Sequence, residues 1–501
     1  MKYHKLSLMG LLIGLCVNNA QGETLNDALR MGMARSPSLQ YYLSQIASSE
    51  SSINQARSGW LPNINVSAGT QAVGKESSEG NNKYAVSVEQ TIFDFGRTGD
   101  KVDNAKFGKG TQIWKAIDDA ETISSKVAES YFNIQKGRKL LENNRAQMKE
   151  HRRILEVATA RADGGMDNQG DVGQVKVRIK GLEASAEDIH AQLMAAIKEY
   201  EILVGKAPGT LEETDMTFLD RELEKDLREQ VSLSPQIRSM QMEQAAASAQ
   251  YKYMKKNWLP QLSVSVSQGK TSIYNENDTQ VMLNVTSNLF DGGNSYFQAE
   301  GAAKQVETAR WNVQKTIDDN ATSVAQLFQE AIGFRQQAGI FAARSVQSQR
   351  VMELYNDQYR VNRRSVIDLL NAAQEYFQTI DNRITSIANH NTTLIRALAK
   401  LGKINQAFGV ETGITRDDEI ESTLNEMPEI TSTSPEVNSP VTIAFQERVQ
   451  NSGPAADSQV ASPLPKPGVQ ESMVSASSPE PDNQTTGSDA ADIPDPLALL
   501  K

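Results

Sequence analysis

The sequence repeats a set of landmarks at a constant spacing of 197 to 198 residues. Trp60-Leu61-Pro62 returns as Trp258-Leu259-Pro260, and the stretch TIFDFGR from Thr91 matches NLFDGGN from Asn288. Three further pairs keep this register: Ser36-Pro37 with Ser234-Pro235, Trp114 with Trp311, and Asp171 with Asp368. Five landmarks at one spacing indicate an internal duplication. The fold must therefore be built from two copies of one unit.

Each copy has the pattern of a helix, two strands, a long helix, a turn and a second helix. The first helix is predicted over about 25–58. Four short segments then alternate apolar with polar residues, the pattern of strands with one apolar face. Their apolar residues are Ile64, Val66 and Ala68; Val86 and Val88; Leu262, Val264 and Val266; and Val281, Leu283 and Val285.

A proline-free stretch of about 60 residues follows the turn motif Phe-Asp-x-Gly in each copy, over 98–160 and 295–359. At about 1.5 Å per residue, such helices are roughly 90 Å long, far more than a compact domain holds. Helices of this length are expected to pack as coiled coils. Half-length helices are predicted over about 25–58 and 170–204, so that two stacked end to end match one long helix.

Both termini differ from the body of the chain. Lys2 and Lys5 precede an apolar run and then Ala20-Gln21-Gly22, which is typical of a cleaved signal peptide over 1–22. The chain from 413 to 501 is rich in Pro and Ser and poor in aromatic residues, and it is predicted to be disordered. The predicted domains are thus the signal (1–22), a first repeat (23–215), a second repeat (216–412) and the tail.

Composition argues against several functions. The net charge is −11, which does not favour nucleic acid as a partner. Cys16, the only cysteine, lies in the predicted signal, so the mature chain offers no thiol. The remaining histidines lack metal-ligand spacing and a companion nucleophile. We therefore predict no enzyme, no catalytic residue, no cofactor and no metal site.

The strands favour a membrane location. The mature sequence holds no run of 18 apolar residues, which excludes a membrane-spanning helix of the usual kind. Alternating strands suit a barrel with lipid outside and water inside, but four strands fall short of the roughly eight that the smallest barrels need. Several copies must then share one barrel. Polar residues predicted to face its water-filled interior include Ser67, Ser87, Ser265 and Asn284.

With these motifs in this order, residues 23–408 resemble the TolC family of outer-membrane channels. The resemblance implies an α+β membrane protein with internal duplication. Its long helices form a coiled-coil barrel in the periplasm, and its four β-strands per protomer contribute to a shared twelve-stranded transmembrane β-barrel. It further implies a homotrimer in outer-membrane lipid, bound to a periplasmic adaptor and an inner-membrane transporter.

Within the family, the sequence is most similar to the outer-membrane components of type I secretion systems, including those for large adhesins. An outer-membrane component of a multidrug or small-molecule efflux pump is the alternative. A periplasmic coiled-coil scaffold or adaptor is a more distant one, since such a protein has one helical hairpin and separate β domains.

The resemblance also implies roles for residues in the two interhelical turns. Tyr359 is expected to bind Asp171, and Arg364 to bind the neighbouring first-repeat turn at Gly170, so that both close the periplasmic end. Asp368 and Asn371 correspond to a cation-selective ring. The turn residues expected to contact partners are Gly164, Gly165, Asn362 and Arg363.

Three positions depart from the family pattern. Gly170 stands where Thr is frequent, Asn362 replaces Gly, and Asn371 replaces a second Asp. An alternative remains for Asp171 and Asp368, which can simply be carboxylates at the starts of helices, where they interact favourably with the helix dipole.

Overall fold

A computed structural model describes residues 22–70, 82–214, 216, 227–270, 278–288, 290–415, 417–418 and 420–422. The predicted signal up to residue 21 and the predicted tail from 423 onward lie outside the described residues. The helices and strands of the first copy are α1 (Leu25–Arg35), α2 (Pro37–Arg57), β1 (Asn63–Thr70), β2 (Asn82–Phe93), α3 (Arg97–Asp163) and α4 (Gln169–Val204). Those of the second copy are α5 (Leu227–Ser232), α6 (Pro235–Lys255), β3 (Gln261–Lys270), β4 (Asp278–Thr286), α7 (Asn294–Arg360), α8 (Val366–Leu401) and α9 (Ile404–Ala407).

The two copies match in length as well as in order. Helices α3 and α7 each have 67 residues, α4 and α8 each have 36, and α2 and α6 each have 21. The internal duplication read from the sequence is confirmed. The long helices extend slightly beyond the predicted limits at both ends.

The prediction of one helix over 25–58 is wrong in one respect, because the structure has two helices separated at Ser36. Proline 37 is the first residue of α2, where its missing N–H costs nothing, whereas inside a continuous helix it would remove a hydrogen bond and clash with the preceding turn. The hydroxyl of Ser36 accepts a hydrogen bond from the Leu39 N–H at 3.4 Å and so caps α2. The landmark Ser-Pro is therefore a helix start.

The Phe-Asp-x-Gly motif begins both long helices. Carboxylate Oδ2 of Asp94 accepts a hydrogen bond from the Thr98 N–H at 2.7 Å, and Oδ2 of Asp291 accepts one from the Ser295 N–H at 3.0 Å. The residues at the helix N-caps, Gly96 and Gly293, have φ of 79° and 86°. Glycine fits this left-handed backbone without strain, which explains its place in the motif.

The strands form one antiparallel sheet in the order β1-β2-β3-β4. The register aligns the apolar residues of all four strands on one face, with Ile64 opposite Val88, Val88 opposite Val266, and Val266 opposite Val281. Polar residues share the other face, where Asn284 donates a hydrogen bond to the Ser265 hydroxyl at 2.9 Å. The apolar face is open, since Ile64 is 65% and Val281 is 70% exposed.

The helices lie in a fixed order beside one another. Helix α3 packs on α4 on one side and on α8 on the other, and α8 packs on α7. Consequently α4 and α7 form the two outer edges of this row. Among the described residues, none of the helices has both the length and the hydropathy needed to cross a bilayer.

The described residues of the predicted tail contact the helices. Lys109 in α3 lies 3.0 Å from Oδ2 of Asp417, and Ile420 is 4% exposed within the cluster that contains Trp114 and Met242. The first described residues of this segment thus contact the helical body through an ion pair at Asp417 and an apolar side chain at Ile420. The boundary at 413 and the disorder of the tail stay predictions.

Candidate functional site at the interhelical turns

The turn between α3 and α4 and the turn between α7 and α8 have the same backbone geometry. Gly165 has φ of 72° and Asn362 has φ of 61°, both in the left-handed region. The amide after each closes the turn, since the Met166 N–H donates to the carbonyl of Arg161 and the Arg363 N–H to that of Gln358, both at 2.8 Å. Glycine and asparagine are the residues that tolerate this conformation best.

Tyr359 binds a different carboxylate from the one that the resemblance implied. Its side chain is 1% exposed, and its hydroxyl donates to Oδ2 of Asp167 at 2.5 Å. Asp171 instead lies in the first turn of α4, where its N–H donates to the Asn168 carbonyl at 3.0 Å. Within one protomer Tyr359 therefore pairs with Asp167, and its pairing with Asp171 in an assembly stays a prediction. The physical reason is that Asp167 precedes the α4 cap and faces the end of α3.

Arg161, which the sequence reading missed, joins the two turns. Its Nε donates to Oδ2 of Asp167 at 2.9 Å, and its Nη2 donates to Oδ1 of Asn362 at 2.8 Å. The guanidinium also lies 4.7 Å from the centre of the Tyr359 ring, a cation–π distance. Arg161 is 8% exposed, so these are largely desolvated contacts. The only sequence signal for it is a basic residue in the last turn of α3.

Arg161, Asp167, Tyr359 and Asn362 form a cluster that we call the turn lock. Its hydrogen bonds and charges stabilise one another. Burial alone would raise the pKa of Asp167, but the hydrogen bonds from Arg161 and Tyr359 outweigh it and hold that pKa below its ordinary value. Burial raises the pKa of Tyr359, and so does its bond to the Asp167 carboxylate. At neutral pH the tyrosine is therefore a neutral donor and the aspartate a charged acceptor.

Arg364 points away from the turn lock and is partly exposed. Its Nε donates to Oε1 of Gln358 at 3.2 Å, and its guanidinium lies 4.4 Å from the centre of the Tyr355 ring. Gly170 is exposed as well, and its N–H donates to Oδ1 of Asn168 at 2.9 Å. A contact between Arg364 and Gly170 of a neighbouring copy stays a prediction.

Asp368 and Asn371 both have partners within the chain. Asp368 forms a capping box with Ser365, whose hydroxyl accepts the Asp368 N–H at 3.1 Å and whose N–H donates to Oδ2 of Asp368 at 3.3 Å. Oδ1 of Asn371 accepts a hydrogen bond from Arg178 at 3.3 Å. Asp368 thus has the helix-start geometry that was the alternative to a selectivity role. Its place in a cation-selective ring remains a prediction, as does partner contact at Gly164 and Arg363, which are both exposed.

Comparisons with known proteins identify the family and the fold of this chain. The sequence model of the outer membrane efflux protein family matches residues 29–199 and 227–401, which lie in the two copies of the repeat. Protein CyaE of Bordetella pertussis is 24% identical over 417 residues, which are 76% of this chain and 85% of that protein. Outer membrane protein TolC of Escherichia coli is 20% identical over 436 residues, covering 80% of this chain and 87% of that protein.

A solved structure shares the fold. The outer membrane protein VceC from Vibrio cholerae superposes with a TM-score of 0.67 at 15% identity, and the match covers 75% of this chain and 96% of VceC. The duplicated helices, the four-stranded sheet and these matches define the class, an outer-membrane channel protein with a periplasmic helical extension. The chain belongs to the outer membrane efflux protein family. It is a transport duct rather than an enzyme.

Proposed function

We propose that three copies of this chain form the exit duct of a tripartite export machine. Its other parts are a periplasmic adaptor and an inner-membrane ABC transporter. The cargo is a large surface protein or adhesin, exported by type I secretion. The duct itself supplies a sealed path, and its partners supply the energy.

The sheet carries this proposal. Its apolar face is open, with Val66 75% and Val285 69% exposed, and β1 and β4 are its two edges. In hydrocarbon, each unpaired backbone group at an edge costs several kcal/mol, so four strands cannot stay open there. Edge-to-edge pairing of three copies turns the four-stranded sheet into a closed barrel of twelve strands.

Helix α4 supports the same closure. On the side opposite its contact with α3, exposed residues recur at spacings of four and three, a pattern that we call the α4 seam. Its members are Val177, Gly181, Ala184, Asp188, Ala191, Ala195, Lys198 and Ile202. Small residues at this spacing allow another helix to approach closely. The edge helix α7 offers a complementary row, because Ile340 and Leu354 lie 14 residues apart and Val361 follows 7 residues later, just beyond the helix end. All three are 56–65% exposed.

The interhelical turns are the place where we expect the adaptor and the transporter to act. In the proposed duct the turn lock holds the two hairpins of each protomer together, and the exposed Arg364 exchanges its contacts with Gln358 and Asp368 for a contact with the neighbouring protomer. A partner that binds at Gly164, Gly165 or Arg363 would release these contacts and open the periplasmic end. Protein cargo then passes through a lumen lined by the polar face of the sheet.

Deletion of the gene, with complementation by the wild-type chain, tests the cargo. We expect loss of the secreted surface protein with unchanged susceptibility to drugs and dyes. Greater drug susceptibility with normal surface protein would instead establish small-molecule efflux. Fractionation tests the duct itself: trimers that dissociate on heating should be found in the outer membrane, whereas a soluble periplasmic species would support the scaffold.

A further inference from the structure

Glu23, the predicted first residue of the mature chain, has a buried side chain whose carboxylate is bound by three groups. Its side chain is 8% exposed. The Tyr200 hydroxyl donates to its Oε1 at 2.7 Å, the Lys206 ammonium lies 3.2 Å from the same oxygen, and the Gly209 N–H donates to Oε2 at 3.4 Å. Because Tyr200 is completely buried, this carboxylate is a fixed part of the fold.

The backbone of Glu23 is held just as firmly. Its N–H donates to the Thr210 carbonyl at 2.7 Å, and its carbonyl accepts the Glu212 N–H at 3.1 Å, as a short parallel bridge. The hydroxyl of the buried Tyr131 lies 2.9 Å from the same carbonyl. The chain start therefore fastens the segment that leads from the first copy to the second.

The residue before Glu23 fits poorly with anything larger than glycine. A Cβ at Gly22 would lie 2.6 Å from Cγ of Glu212 and 3.1 Å from the Thr210 carbonyl oxygen, so Glu212 would have to move. The Glu212 carboxylate also lies close by, with Oε1 3.4 Å from that Cβ position. A carboxylate thus lies beside Gly22, the residue after which the signal is predicted to end.

We propose that the Gly22–Glu23 bond is cut on export and that the new α-ammonium group of Glu23 is a binding group of the mature fold. In the cut, water adds its hydroxyl to the Gly22 carbonyl carbon and the C–N bond breaks. The nitrogen keeps the electron pair and takes up protons to become the ammonium of Glu23. Departure of Gly22 leaves the Glu212 carboxylate free to approach it.

Charge in the pocket favours this arrangement. Before the cut, Lys206 pairs with the Glu23 carboxylate, and the Glu212 carboxylate lies beside Gly22. The ammonium supplies the second cation while it keeps the hydrogen bond to Thr210. Charge-assisted hydrogen bonds of this kind are stronger than those of a neutral amide. Removal of the signal therefore completes the anchor of the connecting segment, independently of which cargo the channel carries.

Arg138 and Gln135 of α3 bind the same connecting segment that Glu23 fastens. Arg138 donates to the carbonyl of Gly209 at 2.7 Å, and Gln135 donates to that of Glu212 at 2.6 Å. The connecting segment is thus hydrogen-bonded both to α3 and to Glu23. Loosening of the chain start is thus expected to free this segment from α3 and to lower the stability of the assembled protein.

The test uses full-length protein exported to the outer membrane, with one residue inserted between Gly22 and Glu23. A glycine insertion moves the ammonium away but adds no side chain, whereas an alanine insertion adds a Cβ beside Glu212 as well. N-terminal sequencing should find Glu23 first in the native protein. We expect the glycine insertion to lower the unfolding temperature by a few degrees and the alanine insertion to lower it further.

Glu212→Gln in the native chain should cause the same loss as the glycine insertion, and the combination should add nothing more. A native chain that begins at any other residue would overturn the cleavage site. An unchanged unfolding temperature for the glycine insertion or for Glu212→Gln would overturn the role of the ammonium. If an insertion blocks export, the same chains freed from residues 1–22 by cleavage of a fusion and refolded into detergent give the comparison.

Discussion

At the scale of single residues, the turn lock depends on one carboxylate that serves two donors. Replacing Asp167 with Asn weakens the bonds from both Arg161 and Tyr359 and leaves the buried guanidinium without its counter-charge. A hydrogen bond to a charged group contributes about 1.5–3 kcal/mol, enough to shift an equilibrium between closed and open turns by about tenfold or more. We expect reconstituted Asp167→Asn channels to conduct more than wild type.

Asp171→Asn is the matched control, because Asp171 lies four residues after Asp167, in the first turn of α4, but outside the lock. Tyr359→Phe should resemble Asp167→Asn, and Tyr359→Phe with Arg364→Ser should conduct most, since it also removes the proposed contact between protomers. If Asp171→Asn raised conductance and Asp167→Asn did not, the pairing implied by the family resemblance would hold in the assembled channel.

Glu121 in α3 should make stability depend on pH. It is 3% exposed, and its carboxylate accepts hydrogen bonds from the Ile404 N–H at 2.7 Å and from the Asn405 side chain at 3.1 Å. Burial raises its pKa from 4.5 to about 7, although these bonds counteract part of the effect. The folded protein holds this proton more tightly than the unfolded chain does. The contribution of protonated Glu121 to the free energy of unfolding is therefore complete below about pH 4.5 and is lost as pH rises through about 7.

The loss in the free energy of unfolding that results from ionisation of Glu121 is about 3 kcal/mol at most. The unfolding temperature of the wild-type protein should therefore fall between about pH 4.5 and pH 7.5, and that of Glu121→Gln should fall less over the same interval. Glu129→Gln on the same helix, which removes a partner of Arg396, is the control and should keep the wild-type difference. Equal pH dependence in the Glu121 variant and wild type would argue against a raised pKa.

At the scale of helices and strands, periodicity made much of the fold predictable. Alternation in Val281, Leu283 and Val285 identifies a strand because side chains alternate between faces, and proline-free stretches identify α3 and α7. The partner of Tyr359 was not predictable in this way. Asp167 and Asp171 are four residues apart, and which of them faces Tyr359 depends on where the turn ends and α4 begins, a boundary that periodicity fixes poorly.

The α4 seam offers a test at this scale. Ala184→Trp together with Ala191→Trp fills the exposed seam with large side chains, while each protomer should still fold because neither residue is buried. We expect loss of trimers on mild gels with unchanged helix content by circular dichroism. Ser185→Trp, one residue away and also exposed but off the seam, should keep the trimer. Trimers of normal heat stability in the double variant would exclude α4 from the interface.

At the scale of the whole molecule, the proposed barrel requires β1 of one copy to pair with β4 of the next. Within one chain these strands are the two edges of the sheet, three strand spacings or roughly 14 Å apart, whereas a disulfide needs Cα atoms within about 7 Å. Cys16 lies in the predicted signal, so the mature chain provides a background without thiols. Any crosslink between these strands must therefore join two chains.

Paired cysteines on the apolar faces should report both the pairing and the number of copies. We would place one on β1, at Ile64, Val66 or Ala68, and one on β4, at Val281, Leu283 or Val285. After oxidation in membranes, the pair in matching register should give a covalent ladder that ends at three chains. The Val66→Cys variant alone should give no ladder, because its neighbour across the contact carries no thiol. If every cysteine pair gave only uncrosslinked single chains, the shared barrel would be contradicted. A ladder that continued past three chains would support the pairing of β1 with β4 but show that the barrel has more than three protomers.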